Sequence, residues 1–136
     1  NVAIENAATL GLEDRAQFVL GDWTAPHWTE NLCGPFDVVM SNPPYIVDGD
    51  VAGLDADVRD FEPRAALVGG PDGLDAYRAI VDGLDKVLTP GGLIVFEVGF
   101  GQADDVANLL IRKGFSGVER RQDLAGIART VLARYE

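Results

Sequence analysis

Two short runs, residues 36–40 (FDVVM) and 93–98 (LIVFEV), are almost unbroken strings of apolar residues. A strand with one wet face alternates apolar and polar side chains. These do not, so they read as strands buried on both faces of a sheet. Between them, residues 72–88 place Tyr77, Ile80, Val81, Leu84 and Leu88 on one face at helical spacing. Asp72 suits the cap of that helix, Asp75 its first turn, and Pro90-Gly91-Gly92 its end. Strand, amphipathic helix, strand is the repeating unit of an α/β fold with a mostly parallel sheet.

The flanking segments extend the pattern. Residues 1–12 have helical character, with Val2, Ile4, Ala7 and Leu10 apolar and Gly11 as a stop, and read as the second half of a helix. Residues 16–20 (AQFVL) read as a short strand ending at Gly21-Asp22. Residues 46–71 show no period and many Asp, Gly and Pro residues, a long connection of the kind that often carries function. Gly99 to Gly101 turn into a helix bearing Val106, Leu109 and Leu110, which ends near Gly114. Residues 115–121 and 129–135 read as closing strands, antiparallel because no long helix separates them. The 136 residues suit one domain.

Charge and composition narrow the chemistry. With 22 acidic against 11 basic side chains the net charge is -11, which disfavours nucleic acid as a partner. Such acidity suits a cationic ligand or a basic protein, and it also suits plain solubility. Cys33 and His27 are each the sole residue of their type, so no internal disulfide and no Cys/His metal site is available. No calcium-loop spacing occurs, and no metal is expected. This cysteine usage points to a reducing, cytoplasmic compartment, with Cys33 a passive thiol. No apolar run approaches the roughly 20 residues of a membrane span, and no basic-then-apolar leader is visible.

In open α/β sheets ligands bind beyond the carboxyl ends of the strands. Asp22, the run Asn42-Pro43-Pro44-Tyr45, and residues 97–102 lie at such ends. The tetrapeptide is the sharpest of these. Its prolines stiffen the backbone and remove two N–H groups, so carbonyl oxygens dominate its polar surface. Asn42 adds a side-chain carbonyl and Tyr45 a flat aromatic face. Two acceptors and a stacking surface suit a planar NH2 group, holding both N–H bonds and favouring a nucleophilic nitrogen. The plainer reading is a proline-stiffened turn.

A strand followed by Asn-Pro-Pro-Tyr resembles the amino-methylating motif of S-adenosylmethionine-dependent methyltransferases. Further runs narrow the likeness: Phe61-Glu62-Pro63-Arg64, Gly69-Gly70-Pro71-Asp72-Gly73-Leu74-Asp75, Tyr77-Arg78, Glu97-Val98-Gly99 with Gln102, and Asp123-Leu124-Ala125-Gly126 with Arg129. Over nearly its whole length the chain resembles the HemK family of protein-glutamine methyltransferases that modify peptide-chain release factors. The resemblance implies a Rossmann-like class I methyltransferase sheet, mostly parallel with an antiparallel carboxy-terminal strand. It implies methyl transfer from S-adenosylmethionine to the side-chain amide of a glutamine in a Gly-Gly-Gln sequence, with a release factor as partner. Asn42, Pro43, Pro44 and Tyr45 are then the catalytic residues. Asn42, Pro43, Tyr45 and Glu62 bind the substrate, and Asp22, Trp23 and Asn42 the cofactor.

Each of these residues has a bland reading as well. Asp22 would simply cap a turn, and Glu62 would belong to a solvated acidic face. Glu97, on a strand read as buried, needs a partner such as Arg129 or backbone donors. Gly69-Gly70 lacks a following Lys-Ser/Thr and reads as a turn before a helix rather than a phosphate loop.

By the same resemblance, a glycine-rich loop after a first strand, an acid after a second and an amino-terminal helical domain would come earlier than Asn1. The chain is therefore expected to be a partial catalytic domain, residues 1–136, truncated at its amino end. Alone it is expected to bind cofactor weakly or not at all and to self-associate through the uncovered edge of the 36–40 strand. The alternatives are an adenine-N6 nucleic-acid methyltransferase, and a truncated, non-catalytic fragment.

Overall fold

A computed structural model describes residues 2–136. In chain order the elements are α1 (Val2–Thr9), β1 (Phe36–Ser41), α2 (Ala56–Phe61), α3 (Arg64–Leu67), α4 (Asp75–Val87), β2 (Leu88–Glu97), α5 (Ala103–Arg112), β3 (Ser116–Gln122) and β4 (Ala128–Arg134). Short 3-10 turns occupy Trp28–Asn31 and Asp48–Gly53. No described helix is long and apolar enough to cross a membrane.

The strands form one mixed sheet in the order β1-β2-β4-β3. β1 and β2 are parallel because α4 carries the chain back between them. β3 and β4 are antiparallel, joined by a tight turn, and β4 inserts antiparallel beside β2. In that turn the Asp123 carboxylate accepts from the backbone N–H groups of Ala125 and Ile127 at 2.8 and 3.0 Å.

The core lies on one side of the sheet. α4 buries Tyr77, Ile80, Val81 and Leu84, and α5 buries Val106, Ala107 and Leu110. They pack on Ile94 and Phe96 of β2 and Val131 and Ala133 of β4. Tyr77 and Phe96 pack in a T-shaped arrangement at a centroid distance of 5.3 Å. At about 25 cal/mol per Å² of apolar area, a side chain of this size contributes roughly 2–3 kcal/mol when fully buried.

Several boundaries and environments differ from the sequence reading. The apolar run of β1 is not buried on both faces: Val38 is 51% and Met40 75% exposed, and only Val39 turns toward the helices. β1 is the edge strand of the described sheet, and α4 and α5 cover one face alone. Residues 16–20 form no strand and pair with none of the described strands; Leu20 is fully exposed. α4 starts at Asp75 rather than 72, because Gly73 has φ +75° and cannot continue a helix backward. The Asp72 carboxylate instead accepts from the Leu74 N–H at 3.1 Å.

The 46–71 connection is built of short helices rather than irregular chain. Pro63 divides two of them, since the residue before a proline avoids helical backbone. β2 begins at Leu88, five residues before the expected start, and bulges outward: Phe36 pairs with Leu88 but Val38 with Leu93. The bulged Gly91 and Gly92 are held by Tyr135 at 2.6 and 2.9 Å. The amino-terminal helix runs over Val2–Thr9, and Asn1, its expected first residue, lies outside the described residues.

Candidate active site

β1 pairs in register with β2 up to Ser41 opposite Phe96, then releases the chain at Asn42. Pro43 is fully buried, Pro44 and Tyr45 are half-buried, and Asn42 is exposed. Past Tyr45 the backbone is caught again. The Ile46 N–H donates to the Leu67 carbonyl at 2.9 Å, and the Ile46 carbonyl accepts from the Gly69 N–H at 2.9 Å. The four residues between these anchors carry little backbone hydrogen bonding of their own, because two of them lack an N–H.

Space beneath this segment is cleared by glycine. A Cβ at Gly69 would lie 2.7 Å from the Pro44 carbonyl oxygen, and one at Gly73 would collide with that of Tyr45. At Gly99 it would fall 2.8 Å from the Tyr45 ring. The glycine pair at 69–70 is thus a packing turn, with Gly70 at φ +90° and the Asp75 N–H donating to the Gly69 carbonyl at 3.0 Å.

Two cavities meet at Asn42. One, of about 140 Å³, is lined by Asn42, Pro43, Pro44, Tyr45, Glu62 and Leu67. The structure therefore brings Glu62, twenty residues away in sequence, to the tetrapeptide. The other, of about 310 Å³, is lined by Met40, Ser41, Asn42, Val95, Glu97 and Thr130.

Glu97 corrects an expectation. It is exposed, not buried, because alternate residues of β2 face the uncovered side of the sheet. Arg129 does not reach it but sits 3.6 Å from Asp123. Its backbone carbonyl is engaged, accepting from the Tyr77 hydroxyl at 2.7 Å. Burial, with smaller contributions from Tyr45 and Glu97, pushes that phenol well above its ordinary range, so it stays a neutral donor.

Asp22 and Trp23 line neither of these two cavities. The Asp22 carboxylate accepts from the Thr24 hydroxyl at 2.7 Å and the Thr24 N–H at 2.8 Å, which hold it below the usual carboxylate range. Trp23 lines a separate cavity of about 230 Å³ with His27, Trp28 and Lys86. Gln102 received no role from sequence. Its side chain bridges the β2–α5 turn to Tyr45, and no local pattern announces a contact across 57 residues.

No protein-family model matches the chain. It is similar to the release factor glutamine methyltransferase of Rhodospirillum rubrum, with 47% identity over 98% of this chain and 39% of the relative. It is likewise similar to that of Clostridium acetobutylicum, with 46% identity over 94% of this chain and 44% of the relative. The chain thus spans less than half the length of these curated relatives. Among solved structures, a methyltransferase from Pyrococcus furiosus shares the fold, with a TM-score of 0.58 and 15% identity over 98% of this chain and 58% of that one.

Proposed function

The chain belongs to the release factor glutamine methyltransferase family, and from that membership we propose that it carries the catalytic motif of an enzyme methylating a protein glutamine. The side chain acted on is the glutamine of a Gly-Gly-Gln sequence in a peptide-chain release factor, in the cytoplasm. The observation that carries the reading is the position of Asn42: exposed, at the end of β1, and common to two cavities.

S-adenosylmethionine, when bound, supplies the methyl group as a sulfonium cation. The residues beside Asn42 fit such a cation, since the exposed Glu97 carboxylate shares the larger cavity and forms no ion pair among the described residues. We assign Asn42 to holding it; Asp22 and Trp23, which the family resemblance gives to the cofactor, line neither cavity at Asn42.

The remaining work belongs to the tetrapeptide. The Asn42 side-chain oxygen and the Pro43 carbonyl accept the two amide N–H bonds, which orients the nitrogen and loosens its conjugation with the glutamine carbonyl. The Tyr45 ring packs beside the amide, and Glu62 contributes at the cavity rim. The N–CH3 bond forms as the S–CH3 bond breaks, and the methylated nitrogen sheds its proton afterwards, so no strong base is required. Catalysis of this type rests on placement in a dry site.

An adenine-N6 nucleic-acid substrate is disfavoured by the net charge of -11. The open edge of β1, with Val38 and Met40 exposed, supports self-association of the 136-residue chain on its own. The deciding experiment incubates the full-length protein with labelled cofactor and a release factor. Label is expected on the release factor and is lost when the glutamine of Gly-Gly-Gln is substituted. Label that survives the substitution, or appears on DNA instead, overturns the reading.

A further inference from the structure

One polar side chain ties three separate segments together behind the tetrapeptide. Gln102 immediately precedes α5 and is partly buried. Its Oε1 accepts from the Gly99 N–H at 3.0 Å. Its Nε2 donates to the Tyr45 carbonyl at 2.9 Å and lies 3.5 Å from the Gly73 carbonyl. An amide meets this arrangement in one orientation, with its oxygen facing the N–H and its hydrogens facing the carbonyls. A Cβ at Gly73 or Gly99 would strike this same amide.

The 42–45 segment is stiff, so its placement is decided at its two ends. β-pairing of Ser41 with Phe96 holds the first end. At the other, the Tyr45 carbonyl is held by Gln102, one residue ahead of the Ile46 bridge to Val68. Removing the Gln102 donor leaves the second end to pivot on Ile46. A rigid segment released at one end carries its acceptors away from where an amide must sit.

Resting on the glutamine-methylation reading, we propose that Gln102 is a positioning residue. Through the Tyr45 carbonyl it holds Asn42 and Pro43 in register with the substrate amide. Gln102→Glu sets a carboxylate oxygen against two carbonyls, and Gln102→Met keeps the length without a donor. Neither touches the reacting atoms.

The test uses the full-length protein with a release-factor substrate. For both variants kcat is expected to fall by about 10²-fold, the loss typical of a misplacement near 1 Å, with KM within about threefold. Hydrogen exchange at the Ile46 amide is expected to accelerate by about tenfold. Tyr77→Phe, which removes a buried hydrogen bond behind β2, serves as the structural control: it lowers Tm and leaves kcat within about twofold. Variants at Gln102 whose kcat and Ile46 exchange both stay within about twofold of wild type overturn the positioning role, as does a kcat loss that Tyr77→Phe reproduces in full. A wild-type protein that leaves the glutamine unmodified overturns the substrate reading instead, and the Ile46 exchange then decides on Gln102 alone.

Discussion

The Tyr77 hydroxyl donates to the Glu97 carbonyl at 2.7 Å from a ring with no exposed surface, joining the first turn of α4 to the last residue of β2. Tyr77→Phe keeps the packing on Phe96 and strands that carbonyl. A loss of about 1–2 kcal/mol is expected, seen as a lower denaturant midpoint with an unchanged slope.

Gly83 sits in α4 where a Cβ would fall 2.6 Å from the Trp28 ring and 2.9 Å from the Thr29 methyl group. Alanine favours an exposed helix by about 1 kcal/mol over glycine, but overpacking costs roughly 1–3 kcal/mol. Gly83→Ala is therefore expected to destabilise, with Trp28 fluorescence shifting as the ring is displaced. A stabilised variant would show that the Trp28–Asn31 turn yields freely.

The Asp72 carboxyl is held below its ordinary 3.8 chiefly by hydrogen bonding from Arg78. That of Asp123 is held below it by the backbone N–H of Ile127, with help from Ala125 and Arg129. A depressed folded-state value means stability that is present above 3.8 and lost as pH falls through the folded value. Asp72→Asn is expected to lower the urea midpoint at neutral pH and to converge with wild type in acid. Parallel curves across the acid range would remove Asp72 from the acid limb.

Asn42→Ala deletes the side-chain acceptor while leaving the prolines in place. Methyl transfer by the full-length protein is expected to drop by about 10²-fold or more, with Tm within a degree or two. A rate within a few-fold of wild type in a labelled-methyl assay would remove Asn42 from the reaction.

The exposed Val38 and Met40 lie on the uncovered face of the edge strand. The isolated 136-residue chain is expected to show a mass that rises with concentration in sedimentation experiments. Met40→Lys should lower that mass, because charge on an edge strand blocks pairing. A concentration-independent monomer would contradict the expectation.

What was legible in the sequence is what depends on local pattern. The helical spacing of Tyr77, Ile80, Val81 and Leu84 marked α4, and the run ending in Asn42-Pro43-Pro44-Tyr45 marked a strand and the candidate site at its end. The antiparallel closing hairpin followed from the short link between its strands. What escaped depends on neighbours distant in the chain. Residues 16–20 have strand composition, but a strand is made by its partner, and none of the described strands pairs with them. Glu97 was read as buried because its run is apolar, yet burial on the second face of a sheet requires a second layer. Gln102 stood out in the sequence at a strand end, but its contacts did not, because its partners Tyr45 and Gly73 are backbone carbonyls, which leave no trace in side-chain identity.

Gly69, Gly73 and Gly99 also provide a way to tell a copy that can seat the 44–45 pair from one that cannot. At each of them a single methyl group would meet the backbone or ring of the 44–45 pair. A gene can therefore keep the letters Asn-Pro-Pro-Tyr and still lose the room that this segment packs into, if any of these three places has acquired a side chain. In judging degraded or duplicated copies, hydrogen at those three positions is a stricter password than the tetrapeptide itself.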